Sequence, residues 1–187
     1  MSDIPPSVRA FFPNAKVVYP KNHKQGPALD HINQIAIVVR DIDAAIEYYG
    51  AAFGWGPFHV VEVATDLPYG GAVSKVGLKL AFALLKHLDL EIELAQPLSG
   101  NSPYSEHLRN HGEGVLHLRI ATENIEGALH HLEGLGIQSI FSAGHEGRTV
   151  STHVDSHQRH GVKIELIRTD AELTAIMNAP SYDWRIA

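Results

Sequence analysis

Residues 32–50, INQIAIVVRDIDAAIEYYG, decide the fold, because their pattern returns at residues 115–133, VLHLRIATENIEGALHHLE. In the first copy the run from Ile32 to Val39 is rich in isoleucine and valine, as a buried strand is. Asp41 follows as an N-cap. Ile42, Ala45, Ile46 and Tyr49 then fall at i, i+3, i+4 and i+7, one face of a helix. In the second copy the strand is 117–121, the cap is Asn124, and Ile125, Ala128, Leu129 and Leu132 make the same helical face. The two copies align at a constant offset of 83 residues. Repetition of this kind carries more weight than any single element.

The pattern extends outward from both copies. Gly54 stops the first helix, and Gly134 and Gly136 stop the second. Three strands are expected after each helix: 58–64, 76–85 and 89–95 in the first half, 137–142, 148–155 and 162–167 in the second. A Gly-rich loop, 65–74, separates the first two. The clearest strand is 89–95, where Leu90, Ile92 and Leu94 alternate with Asp89, Glu91 and Glu93. A lone half would leave one sheet face uncovered, so the halves should pair around a shared cup. The expected class is α+β: two tandem βαβββ modules, 29–100 and 115–169, forming a cup-shaped mixed sheet with a central metal or ligand site. A connector, 101–114, carries a short helix around 104–110. Residues 1–28 read as an irregular arm, broken by Pro5, Pro6, Pro13, Pro20 and Pro27. Residues 170–187 read as a tail that opens with a short helix.

Composition narrows the function. Of 187 residues, 44% are apolar and 19% charged, which fits a packed domain and not a disordered chain. No apolar run approaches the roughly 18 residues of a membrane helix. Residues 1–14 lack the apolar stretch of a signal peptide. The 21 Asp and Glu outnumber the 15 Lys and Arg, and no dense basic cluster offsets the net charge of −6, so no nucleic-acid partner is expected. The lack of cysteine excludes disulfides, thiolate catalysis and thiolate metal sites, and it fits the cytoplasm. Any metal must then be held by imidazole, carboxylate or amide, and 13 histidines are available.

The repeat also points to a site. It sets Gln34 opposite His117, each seven residues before its helix cap. Each half ends in a strand with a carboxylate in the same setting, Ile92-Glu93-Leu94 and Ile164-Glu165-Leu166. A charged residue between apolar neighbours normally faces water. If these faces line the cup instead, Gln34, Glu93, His117 and Glu165 converge, a donor set suited to zinc, nickel, cobalt or manganese with positions left for water or substrate. His31 is the alternative to Gln34. It lies ten residues before Asp41, and an odd shift of three turns it to the opposite strand face.

These motifs on a βαβββ repeat resemble the vicinal oxygen chelate superfamily, which includes glyoxalase I, methylmalonyl-CoA epimerase, extradiol dioxygenases and bleomycin-resistance proteins. The resemblance spans about residues 30–168, on QIAIVVRDID (34–43), IELAQP (92–97), GVLHL (114–118) and GVKIEL (161–166). It implies Gln34, Glu93, His117 and Glu165 as ligands of one divalent transition metal, a set similar to that of eukaryotic-type glyoxalase I, with iron ranked below zinc, nickel, cobalt and manganese. It further implies a metal-dependent isomerase, epimerase or lyase on a small-molecule substrate. In such enzymes the metal polarises a carbonyl and a carboxylate removes the adjacent proton. Glu165 would be the base and Glu93 its partner on the opposite face. A cytoplasmic homodimer is implied as well.

The chain departs from individual relatives. Val38, Pro97 and Glu113 stand where glyoxalase I holds glutathione, so a glutathione adduct is not favoured. Only Asp66 is available in 65–74 for the additional glutamate of the epimerase, although the connector NSPYSEHLR (101–109) followed by GEGVLH (112–117) is epimerase-like. An extradiol dioxygenase would need histidine at Gln34. The rival outside enzymology is a metal-free protein that binds a small organic molecule. Three further residues are expected to bind substrate. Arg119 could grip an anionic group, or could merely balance Glu91 or Glu165. Tyr69 could close over the substrate from its loop, and His153 could reach the cup. Lys163 is expected at the wet end of its strand, His157 and His160 in a solvated turn, and His130 and His131 on the outer helix with His131 exposed.

Overall fold

The computed structural model describes residues 26–145, 148–156 and 161–169, with the isolated positions 10, 14, 16 and 18. Nearly all of the expected arm, the tail with its expected helix, and His157 and His160 lie outside the described residues.

The order of elements is β1 (Ile32–Val38), α1 (Ile42–Phe53), β2 (His59–Tyr69), β3 (Ala72–Leu85), β4 (Leu90–Ser99), α2 (Pro103–His111), β5 (Gly114–Thr122), α3 (Ile125–Glu133), β6 (Ser139–His145), β7 (Arg148–Val154) and β8 (Lys163–Arg168). A strand, a helix and three strands thus occur twice, with α2 between them. The caps are those the sequence called for. The Asp41 carboxylate accepts from the N–H groups of Asp43 and Ala44, both at 3.0 Å, and Gly54 closes α1 in the left-handed region at φ 68. The Asn124 side chain accepts from the Gly127 N–H at 2.8 Å. α2 opens on a capping box of Ser102 and Ser105, with Pro103 in the first turn.

All eight strands form one sheet in the order β2-β3-β4-β1-β5-β8-β7-β6. β1–β4 and β5–β8 are parallel, and the other pairs are antiparallel. The β1–β5 pair is the seam between the two repeats. The sheet curls until its edge strands β2 and β6 meet, making a cup that is nearly closed. Helices α1 and α3 pack on the outside. Ile42, Ile92 and Leu94 are buried with Val39 and Ala81 beneath α1, and Ile125, Ala128, Ile120 and Leu166 are buried beneath α3. Ile42 and Ile125, partners in the repeat, are both 0% exposed. Covering the outer face in this way leaves the inner face free for polar groups. Among the described residues no helix is long and apolar enough to cross a membrane.

Three expectations need correction. The segment 65–74 is not a loop: β2 and β3 run on to a two-residue turn at Gly70 and Gly71, with φ 64 and 82. Pro68 is accommodated because β2 is an edge strand, where a missing N–H costs no ladder bond. Asp89 does not open β4; it sits in the preceding turn at φ 49, a conformation aspartate tolerates. His131 is half-buried, because the backbone at Gly26 crosses its ring, so closely that a Cβ there would lie 2.5 Å from it.

Candidate functional site

Strand register brings the polar residues together in two rows on the inner face. In one row Glu91 pairs with Gln34, Gln34 with Arg119, Arg119 with Glu165, Glu165 with His153, and His153 with Phe141. In the other, Phe82 pairs with Glu93, Glu93 with Ala36, Ala36 with His117, and His117 with Lys163. The rows are two residues apart on each strand, so both face the same way. Ala36, between Glu93 and His117, is too small to separate them. Gln34 and His117 are 0% exposed, His153 1% and Glu93 4%.

The centre is the His117 imidazole. Its Nε2 lies 3.2 Å from Gln34 Oε1, 3.1 Å from Glu165 Oε2 and 4.0 Å from Glu93 Oε2. Gln34 is held from behind: its Nε2 donates to Glu91 Oε1 at 2.6 Å, which turns its carbonyl oxygen toward His117. Arg119 donates to the same Glu91 oxygen at 3.1 Å and to Asn33 Oδ1 at 3.0 Å. Tyr104, on α2, donates its hydroxyl to Glu93 Oε1 at 3.4 Å. His153 Nε2 lies 3.8 Å from Glu165 Oε1, and its ring meets that of His117 edge-on at 4.8 Å.

This environment separates the two carboxylates. Burial raises Glu93 to about 7, although His117 pulls the other way. Burial also acts to raise Glu165, but the hydrogen bond from His117 and the nearby positive groups outweigh it and bring Glu165 down to about 2. Burial opposes protonation of His117, and the Glu165 and Glu93 carboxylates raise it on balance. Burial lowers His153 to about 4, with His117 and Lys163 acting the same way and Glu165 opposing them, and it stays uncharged at neutral pH.

Of the residues expected from sequence, Gln34, Glu93, His117 and Glu165 meet here, and His153 meets them from β7. His31 does not: it precedes β1 with an exposed side chain. Arg119 lies in the inner row, engaged by Glu91 and Asn33. Tyr69 lies at the end of β2 and donates its hydroxyl to Glu106 on α2, tying the hairpin tip to that helix. Lys163 is half-buried, and burial lowers it. Two site residues were not singled out for the centre. Glu91 was legible, since it shares the period-two face of Glu93. Tyr104 was not, because only the docking of α2 over the cup brings it there.

A cavity of about 370 Å³ opens above this cluster. Val63, Leu67, Val76 and Leu78 of the β2–β3 hairpin wall one side and Phe141 of β6 the other, with Glu165, His153 and Tyr104 at the polar end.

The donor set fits a divalent ion. Two neighbours lie 3.1 and 3.2 Å from His117 Nε2 and a third 4.0 Å, close to the roughly 3–4 Å between ligand atoms that share an ion at about 2.1 Å. One donor atom each from His117, His153 and Glu165 also lie within 4.8 Å of one another. Among the described residues neither histidine's buried Nδ1 has a hydrogen-bond partner, so packing orients their rings.

Comparison with known proteins agrees with this architecture. A family model described as the Glyoxalase/Bleomycin resistance protein/Dioxygenase superfamily matches residues 33–154, more than half of the chain. No curated protein matches the chain in sequence. Among solved structures, the hypothetical protein BH1468 from Bacillus halodurans C-125 is 25% identical, with a TM-score of 0.55 over 74% of this chain and 94% of that one. Methylmalonyl-CoA epimerase from Mycobacterium tuberculosis is 22% identical, with a TM-score of 0.61 over 82% of this chain and 97% of its own. A Streptomyces coelicolor methylmalonyl-CoA epimerase in complex with 2-nitronate-propionyl-CoA is 22% identical, with a TM-score of 0.56 over 77% of this chain and 100% of its own. At these identities the epimerases share the fold. With its repeated modules, cup-shaped sheet and family match, this chain belongs to the glyoxalase/bleomycin resistance protein/dioxygenase superfamily.

Proposed function

We propose that this protein is a metal-dependent isomerase, epimerase or lyase that removes a proton next to a carbonyl of a small-molecule substrate. The observation that carries this reading is the convergence of Gln34, Glu93 and Glu165 on His117 Nε2, at the polar end of an apolar cavity. Gln34, Glu93, His117 and Glu165 would hold the ion, one of zinc, nickel, cobalt or manganese. When bound, the ion would supply Lewis-acid polarisation of a substrate oxygen. Glu165 lines the cavity and would take the proton; Glu93 sits across His117 with its oxygen on the Tyr104 hydroxyl. His153 borders the same end of the cavity and orients the substrate there. Tyr69 closes the hairpin over it through Glu106. Arg119 acts through Glu91 on Gln34. A cytoplasmic homodimer completes the reading, and light scattering on the purified protein tests its oligomeric part.

The test starts with metal content by mass spectrometry on protein purified without a histidine tag. One transition metal per chain is expected, falling in both Gln34→Ala and His117→Ala. The Glu165→Gln variant should keep its fold and lose solvent-proton exchange at the substrate; full exchange would remove Glu165 as the base. A second reading has one observation in its favour. His117, His153 and Glu165 make two histidines and one carboxylate, the donor set of non-haem iron oxygenases. Oxygen consumption with a catechol by iron-loaded protein, lost in His153→Ala, would select the dioxygenase.

A further inference from the structure

We infer that the substrate is an uncharged carbonyl compound with an apolar body, seated with its oxygenated head at Glu165 and its body between the β2–β3 hairpin and Phe141. The position of the head rests on the proton-transfer reading above; the character of the body rests on the cavity alone. The walls are Val63, Leu67, Val76, Leu78 and Leu80 from one module and Phe141 from the other. These walls are apolar, so a ligand body seated against them exchanges water for hydrocarbon.

Charge on the lining points the same way. Among the described residues no lysine or arginine lines the cavity, and its acids are Glu165 and Asp66. Arg119, on the neighbouring row, already donates to Glu91 and Asn33. An anionic body would therefore be desolvated with no counter-charge among the described residues of the wall. A cationic body has only Asp66, which is exposed and belongs to the rim, not to the wall. What remains for a polar body is hydrogen bonding to Thr65 or Ser151; Ser142 is already bonded to Thr152 at 2.9 Å. The volume, about 370 Å³, sits at the low end of small-molecule sites, room for a ring-sized body on a short head. A coenzyme A thioester, with its chain of phosphates, would find no cation among the described residues of these walls.

The probe is phenacyl alcohol, a neutral α-hydroxyketone on a phenyl body, beside its para-carboxylate and para-trimethylammonium analogues. All three share the head and differ only at the far end, away from the metal-binding residues. Calorimetric titration of the full-length protein, as purified and after zinc loading, should give the neutral probe an affinity at least roughly tenfold above either charged one. Leu80→Lys, a change at a half-buried wall position, should selectively strengthen the carboxylate analogue. The inference is overturned if a charged analogue binds as well as the neutral probe in the wild type, or if the neutral probe does not bind. If Leu80→Lys fails to fold, the wild-type comparison decides. Exchange of the α-protons in heavy water separates the two readings: neutral-selective binding without exchange sinks the proton-transfer chemistry alone, while exchange confined to a charged analogue sinks this inference alone.

Discussion

Glu93 and Glu165 occupy the same place in the two repeats, yet they respond to pH in opposite senses. Glu93 is raised to about 7 by burial, so its folded form holds a proton more tightly than the unfolded chain does. Its contribution to stability is present below its ordinary value near 4.5 and is lost as pH rises through about 7. Glu165, brought down to about 2, contributes above 4.5 and loses that contribution as pH falls toward 2. In chelator-treated protein, Glu93→Gln should remove a decline on the order of 3 kcal/mol between these pH values, read from urea unfolding. An unchanged pH slope in the variant would refute the assignment. Glu91 carries a separate expectation. It holds the Gln34 amide at 2.6 Å and is itself held by Arg119. Glu91→Ala should lower metal affinity by about 10- to 100-fold in competition with a chromophoric chelator, with the circular dichroism spectrum unchanged.

Elements are fixed by local chemistry that is open to single substitutions. Asn124 caps α3 through Gly127, and Asn124→Ala should cost about 1 kcal/mol in chemical denaturation. Gly100 is more demanding. It ends β4 at φ 79, and a Cβ there would lie 2.1 Å from the Lys75 carbonyl oxygen, a rigid backbone atom. Gly100→Ala should therefore cost more than the cap, about 3 kcal/mol or more, since both the backbone conformation and the β3–β4 approach are lost. The β2–β3 hairpin shows why element boundaries were harder to read. Asp66, Pro68 and two glycines look like a loop, but Val63, Leu67 and Val76 are buried at strand spacing on both arms. The pairing Pro68 with Val73 survives because β2 has a free edge.

At the scale of the whole molecule, the seam between β1 and β5 does two jobs. It joins the repeats into one sheet, and it brings His117 level with Ala36 and Arg119 level with Gln34. A first half alone would leave β1 as an open edge, with Gln34 and Glu93 facing water and without His117 and Glu165. A fragment ending at residue 112 should thus lack a cooperative unfolding transition and bind no metal, by differential scanning calorimetry and metal analysis. A cooperatively folded, metal-binding fragment would show that the halves are independent.

The sequence by itself determined the repeat, the caps at Asp41, Gly54 and Asn124, and the pairing of Gln34 with His117 at an offset of 83, now a contact of 3.2 Å. It could do so because caps and amphipathic faces follow from neighbours a few residues apart. It could not determine which way Glu93 and Glu165 face. An acid between apolar residues on a strand reads as outward, and only helices covering the outer side reverse that reading. Nor could it assign Arg119, whose choice between a substrate and Glu91 is a matter of cross-strand register, or Tyr104, which reaches Glu93 only through the docking of α2. His153 joins Glu165 because β7 and β8 pair in one register and not the next. Those decisions belong to the tertiary structure, since each depends on contacts between segments that no local pattern encodes.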